Sequence, residues 1–461
     1  MSPRELAGTP TAGEGALRVA DVFCGAGGLS EGFRQAGCDV VLGSDHDPDA
    51  MATYAANFPA ALALCGDVRS EELREQLDEV AAGADILVGG PPCQAFSQVR
   101  NHSRLIEDPR NSLYREFVSV VGAARPAAFL MENVPGMAQM GVKAQVLEDL
   151  GLDGEYRVEA QLVDAADFGV PQTRKRLLFL GVRTDLSISP PQLAGSGATA
   201  AVQLVRFASD TDSTGTRTGP GYAVAARPDE LGELTGIRLS DPLDTGVVSV
   251  AQAIGDLAGL QAGRRGEALE PGELPVPWSA FQQQMRSGLT AVVRNVSVPR
   301  CQADTALRLA AIPPGGNHRD LPEYLRARYL TGSKWGPSNG SGRLGRSHYY
   351  AYRRLHPDMW AWTLNTKGDS AYHYQAERCL SVREFARLQS FPDRFVFTTD
   401  PRRTRLPGRI DGGAAHSRYR QVGNAVPPLL AATAARALED SLRSARSSQV
   451  RRAATLTGAS A

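Results

Sequence analysis

Seven short apolar runs, separated by helix-length segments, fill the chain from residue 17 to residue 183. They occupy 19–23, 40–43, 62–64, 84–88, 128–131, 158–162 and 177–182. Strands alternating with helices at this rhythm predict a doubly wound α/β fold around a parallel sheet. A glycine turn follows the first strand and leads into a helix ending near Gly37. Asp47-Pro48 supplies an N-cap and a first-turn proline for a helix running to Asn57.

The rhythm dissolves after residue 183. Residues 184 to about 275 are rich in Ser, Thr, Gly and acids and carry no clear period. Residues 201–275 hold six basic against eleven acidic side chains, whereas 291–358 hold eleven basic against four acidic. The second segment combines positive charge, aromatics and the Gly/Ser-rich stretch 331–340, a pattern suited to a phosphate backbone. Lys334, Arg343 and Arg346 lie in that stretch or just beyond it and are the candidate nucleic-acid contacts. The expected organisation is therefore a disordered N-terminus (1–15), an α/β domain (16–183) and a smaller, irregular region (184–420). A C-terminal helix (421–446) and a disordered tail (447–461) follow.

Composition narrows the class. With 42% hydrophobic and 22% charged residues and no net charge, the chain reads as an ordinary soluble protein. No run approaches the roughly 18 to 20 apolar residues of a membrane span, and the polar start carries no signal-peptide core. The six cysteines (24, 38, 65, 93, 301 and 379) include no Cys-x-x-Cys pair. Neither a zinc site nor a disulfide framework is expected, and a reducing cytoplasmic setting fits.

Chemistry-bearing residues recur where strands end. Phe23-Cys24-Gly25-Ala26-Gly27-Gly28 joins the first strand to the first helix, letting a ligand approach backbone and helix N-terminus. Asp45 ends the second strand, about twenty residues on, where an acid can accept from a ribose diol. Asp67 follows the third strand, placed to bind an amine. On this evidence alone a nicotinamide cofactor stays open, as does a plain capping role for either acid. Gly89-Gly90-Pro91-Pro92-Cys93-Gln94-Ala95-Phe96-Ser97 follows the fourth strand and holds a thiol in a proline-stiffened turn, placed like a nucleophile. Met131-Glu132-Asn133-Val134-Pro135-Gly136 adds one carboxylate at the same edge. In Gln172-Thr173-Arg174-Lys175-Arg176, alternation sends Arg174 and Arg176 to one side and Lys175 to the other. Arg383-Glu384-Phe385-Ala386-Arg387-Leu388-Gln389-Ser390-Phe391-Pro392 reads as a structural helix with a proline stop. Gln421-Val422-Gly423-Asn424-Ala425-Val426-Pro427-Pro428 opens the final helix.

In this order the six motifs resemble those of bacterial DNA (cytosine-5)-methyltransferases. The resemblance implies a Rossmann-like sheet that binds S-adenosylmethionine, with a separate target-recognition domain. Phe23 would stack on the adenine, Gly25, Gly27, Gly28 and Leu29 would line the methionine end, and Asp45 would hold the ribose. His46, Asp67, Val68 and Pro92 would complete the pocket, with Asn424 and Ala425 closing it. Asp45 replaces the family's usual Glu and His46 its usual aromatic. Cys93 would attack carbon 6 of a flipped-out cytosine while Glu132 contacts nitrogen 3 and the amino group. Arg174 would grip the base region and Arg176 would buttress the site. Duplex DNA is the implied partner of a monomeric, cytoplasmic, nucleoid-associated enzyme. A cognate restriction endonuclease acting separately, or an epigenetic setting, is compatible with the resemblance. The competing reading is an RNA cytosine-5 methyltransferase, although the Cys-Phe-Thr motif usual in relatives acting on transfer RNA is absent.

Overall fold

The computed structural model describes residues 15–92, 113–139, 142–199, 247–290, 292–325, 352–403 and 414–458. All seven expected strands form: β1 (Arg18–Val22), β2 (Asp39–Asp45), β3 (Leu62–Cys65), β4 (Ile86–Gly89), β5 (Ala128–Asn133), β6 (Tyr156–Asp164) and β7 (Lys175–Arg183). They make one sheet in the order β3-β2-β1-β4-β5-β7-β6. β1 to β5 pair in parallel, but β7 runs antiparallel to both β5 and β6. The sheet is therefore mixed, which corrects the expectation of an all-parallel one. A parallel return needs a crossover of about a dozen residues or more, and only 165–174 separate β6 from β7.

Helices cover both faces. α1 (Gly28–Gln35) and the long final helix Pro428–Gly458 pack on one face, burying Leu29, Phe33, Leu430, Ala434 and Leu438 against β1, β4 and β5. α3 (Glu71–Ala81), α4 (Leu113–Ala124) and α6 (Lys143–Gly151) cover the other through Leu77, Phe117, Val121 and Val146. Between them come α2 (Pro48–Asn57), with Asp47 as its N-cap at 3.0 Å from Asp49 N, and the single turn α5 (Gly136–Gln139). The final helix continues to Gly458, so the tail expected to be disordered from 447 is helical over most of its length. An Ala/Arg/Ser/Leu-rich stretch with no proline after Pro428 sustains it.

The described part of the second region consists of short elements. They include the helices Val250–Ile254, Ala280–Met285 and Ala303–Ala311, and a two-stranded ladder of β8 (Ala268–Leu269) with β9 (Val293–Arg294). The first of these helices has a Ser249/Gln252 capping box that periodicity did not signal. The helix Val382–Leu388 is buried on every side, as its structural reading anticipated. Its charged side chains are matched inside the core. Arg378 grips Glu384 at 2.8 and 2.9 Å, and Arg387 grips Asp393 at 2.9 and 2.6 Å and Asp256 at 2.5 Å. The boundary expected at 420/421 falls inside the helix Ala414–Asn424.

Two glycines let the chain's last helix close on its first. A Cβ on Gly28 would lie 2.2 Å from Val426 O, and one on Gly32 would lie 2.5 Å from Pro428 O and 2.4 Å from the Ala431 methyl. Gly32→Ala should therefore lower stability by about 1–3 kcal/mol, the usual cost of overpacking. Urea unfolding checks this; an unchanged midpoint would show that the helices separate freely.

Candidate active site and cofactor cleft

Strand order reverses at β1, which sits between β2 and β4, and the carboxyl ends of these strands frame a cleft there. The cleft has a cavity volume of about 290 Å³ and is lined by residues from the turns after β1 to β4 together with Leu113. The turn after β1 needs left-handed backbone at Phe23 (φ 62°), Gly25 (φ 53°) and Gly27 (φ 97°). Asp45 holds this turn in place. Its Oδ2 accepts from Gly25 N at 2.9 Å, and its Oδ1 accepts from Asp47 N at 2.9 Å. His46 Nδ1 stands 3.3 Å from the same Oδ1, and this bond raises the imidazole pKa above its ordinary value.

Of the expected cofactor residues, Phe23, Asp45, His46, Asp67, Val68 and Pro92 line the cleft. Gly25, Gly27 and Gly28 shape the turn beneath it. The Leu29 side chain points into the core instead. Asn424 is exposed and away from the lining, while Ala425 packs on Gly28, whose Cβ position is 3.2 Å from the Ala425 methyl. Val22, Ser44, Gly66, Arg69 and Leu113 also line the cleft and were not anticipated. Arg69 changes the character of Asp67. Its Nε and Nη2 donate to Asp67 Oδ1 and Oδ2 at 2.9 and 2.6 Å, and this pairing holds the carboxyl down at about 2. A Ser/Asp-turn reading of Asp67-Val68-Arg69-Ser70 was the available signal for such a pair. The lining suits a nucleoside. Phe23, Val68, Pro92 and Leu113 offer apolar surface, and Asp45 keeps lone pairs on both oxygens for a diol.

The candidate catalytic edge, around Glu132, lies beside this cleft. Glu132 Oε1 is 2.5 Å from Arg176 Nε, and a Cβ on Gly90 would come within 3.2 Å of Glu132 Oε2. The carboxylate thus lies over the turn that leads to Cys93. Asn133 Nδ2 steadies the same turn by donating to Pro91 O at 3.3 Å. Cys93 itself lies outside the described residues, as do Lys334, Arg343 and Arg346. Pro92, the residue before Cys93 in the sequence, lines the cleft. Among the described cysteines, burial pushes the thiols of Cys38 and Cys379 up to about 12 and that of Cys24 well above its ordinary value.

Of the two arginines of the Gln172 motif, Arg174 sits away from the base-gripping position expected of it. Arg176 is the one that meets the Glu132 carboxylate. Arg174 is buried behind it, donating from Nη2 to Gly423 O at 2.7 Å and from Nη1 to Leu364 O at 3.3 Å. Burial and the nearby Arg176 charge push its pKa down, with Glu132 opposing them. Alternation correctly put both side chains on one side; it could not say which would reach the edge.

Comparison with known proteins agrees with this geometry. The model of the C-5 cytosine-specific DNA methylase family matches residues 17–218 and 318–440. The type II methyltransferase M.AgeI of Thalassovita gelatinovora is 29% identical over 90% of this chain and 97% of its own length. M.DdeI of Desulfomicrobium norvegicum, also a type II methyltransferase, is 30% identical over 90% of this chain and 86% of its own. A crystal structure assigned as a DNA modification methyltransferase encoded within an E. coli prophage shares the fold. Its TM-score is 0.60 at 22% identity, covering 93% of this chain and all of that one.

A buried acid under the cofactor turn gives the site a pH dependence. Asp21 Oδ2 accepts from Ser30 Oγ at 2.6 Å and Ser30 N at 3.2 Å, capping α1 from outside, while Oδ1 has no hydrogen-bond partner. Burial, partly offset by the Ser30 bonds, raises its pKa from 3.8 to about 7. A raised acid favours the folded state below about pH 4, and that contribution fades as pH rises through about 7. A shift of this size corresponds to at most about 4 kcal/mol. Asp21→Asn should flatten the fall in thermal stability between about pH 4 and 7; an unaltered slope would place its cause elsewhere.

Proposed function

This chain belongs to the C-5 cytosine-specific DNA methylase family and is a DNA (cytosine-5-)-methyltransferase; we propose that it works through a covalent Cys93 adduct on a cytosine flipped out of one specific duplex sequence. The observation that carries this reading is the Arg176-held Glu132 carboxylate over the Gly90 turn, next to the Pro92-lined cleft. A nucleophile following Pro92 and a carboxyl group above the same turn can address opposite sides of one pyrimidine.

Members of this family generally use S-adenosylmethionine, and here Phe23, Asp45, Asp67, Val68 and Pro92 would hold it so that it supplies an electrophilic methyl group. The protein's part is to make carbon 5 of cytosine nucleophilic. Addition of the Cys93 thiolate at carbon 6, with Glu132 protonating or hydrogen-bonding nitrogen 3, leaves carbon 5 enamine-like. After methylation, loss of the carbon 5 proton and elimination of the thiolate restore the aromatic ring and the free cysteine. Arg176 orients Glu132, and Arg174 fixes the strand from behind. The target atom is inaccessible in a stacked duplex, so flipping costs a few kcal/mol, which DNA contacts outside the site must offset. Lys334, Arg343 and Arg346 are the proposed contacts, reading guanine edges or holding phosphate.

The type II relatives support a modification enzyme that protects DNA against a separate restriction endonuclease in a bacterial cytoplasm. A monomer suffices for this chemistry. The family match to DNA methylases disfavours the RNA alternative. Among the described residues no helix is long and apolar enough to cross a membrane.

Cys93→Ala should leave less than about 1% of wild-type turnover, on the usual scale for nucleophile removal, with S-adenosylmethionine affinity within about twofold. Duplex DNA carrying 5-fluorocytosine at the target should trap wild type, and not the variant, as a denaturation-resistant complex. Labelled methyl transfer by the variant at wild-type rate would remove Cys93 from the mechanism.

A further inference from the structure

Residues 388–390, directly after the helix core, touch three distant segments. The Gln172 side-chain amide donates to Leu388 O at 3.1 Å and to Gln389 Oε1. The Gln389 amide donates onward to Ala425 O at 2.6 Å and Val422 O at 3.3 Å. Ser390, held in left-handed backbone at φ 64°, offers its Oγ to Leu429 N at 3.1 Å at the start of the final helix. Gln172, Gln389 and Ser390 are fully buried.

The contacts lead toward both halves of the site. On one side, Ala425 and Val426 press on Gly28 at the end of the cofactor turn. On the other, Gln172 lies two residues before Arg174 and four before Arg176, which holds Glu132. Gln172 is itself fully engaged, since its Oε1 accepts from Leu364 N at 2.8 Å. Only a neutral amide can accept from one partner and donate to two carbonyls at this position. A carboxylate has no donor, and an aliphatic side chain has neither function.

We propose that Gln389 is a positioning residue that seats the 422–426 turn against the cofactor turn, so that the second region of the chain sets the shape of the cofactor cleft. The inference rests on reading that cleft as the S-adenosylmethionine site. Gln389 touches neither substrate nor cofactor and acts through Ala425 and Gly28. The buried amide could instead only fill space and satisfy its neighbours, and the two roles differ in what they alter.

Gln389→Glu keeps an acceptor toward Gln172 but sets an oxygen against the carbonyls of Ala425 and Val422. It should weaken S-adenosylmethionine binding, measured by titration calorimetry without DNA, by about tenfold, the scale of one buried hydrogen bond lost. KM for the cofactor should rise in step, with kcat at saturation within about twofold, and Gln389→Leu should behave likewise. A space-filling role would lower the melting temperature and leave Kd and KM unchanged, and that result would overturn the proposal. If neither variant folds, hydrogen exchange of wild type decides. Cofactor should then slow exchange at 422–426 and 388–390 but not in the helix Ala303–Ala311, and protection limited to 23–30 and 45–68 would overturn it. Wild type that bound no S-adenosylmethionine would instead sink the functional reading on which the inference rests.

Discussion

The contact between α1 and the final helix is the constraint from which the rest of the architecture follows. Strands β1 to β5 build a sheet whose one face would stay open if residues 426–442 did not return to cover it. That return is possible because Gly28 and Gly32 have no side chains where Val426 O and Pro428 O approach. It fixes the turn at 422–426, which receives the Arg174 guanidinium at Gly423 O and the Gln389 amide at Ala425 O. The second region is thereby joined to the catalytic sheet through backbone carbonyls of the returning segment. A sequence-distant end of the chain thus becomes part of the floor beneath the cofactor turn.

Charge is arranged differently in the two halves. Around the cleft, acids act mainly as acceptors for backbone N–H groups. Asp45 binds Gly25 and Asp47, Asp47 caps α2, and Asp21 caps α1. These bonds hold irregular turns at strand ends, where a ladder of strand hydrogen bonds is no longer available. In the second region, short elements pack around Phe281, Phe385, Phe391 and Phe395, and fully buried Arg–carboxylate pairs connect them. Buried pairs of this kind add little net stability over a hydrophobic alternative, but losing one partner is costly because it leaves a buried charge unmatched. The network fixes which helices meet more than it adds to how strongly they hold.

Much of this was legible in the sequence because the signals are local. Strand positions came from apolar runs bounded by turn residues, and the cleft from the fact that Phe23, Asp45, Asp67 and Pro92 all follow strand ends. The direction of β7 was not legible from apolar content, since a strand covered on both faces reads the same in either orientation. Long-range partners were also hidden. Gln172 and Gln389 meet across 217 positions of sequence, and neither type of residue announces a partner. The same limit explains the arginines. Alternation gives the side of a strand, but depth depends on what packs against it, and the Gly423 carbonyl draws Arg174 inward. The helical tail was misread because its polar, small residues suit disorder and helix alike.

The central claim is that one cleft, at the carboxyl ends of β1 to β4, holds the methyl donor beside the Cys93 turn. A crystal structure with S-adenosylhomocysteine, the demethylated product, tests it most directly. The account predicts the purine against Phe23 and Val68, the ribose hydroxyls within hydrogen-bond distance of Asp45, and the sulfur toward Pro92. Product bound elsewhere on the chain, or ribose hydroxyls with no contact to Asp45, would contradict it.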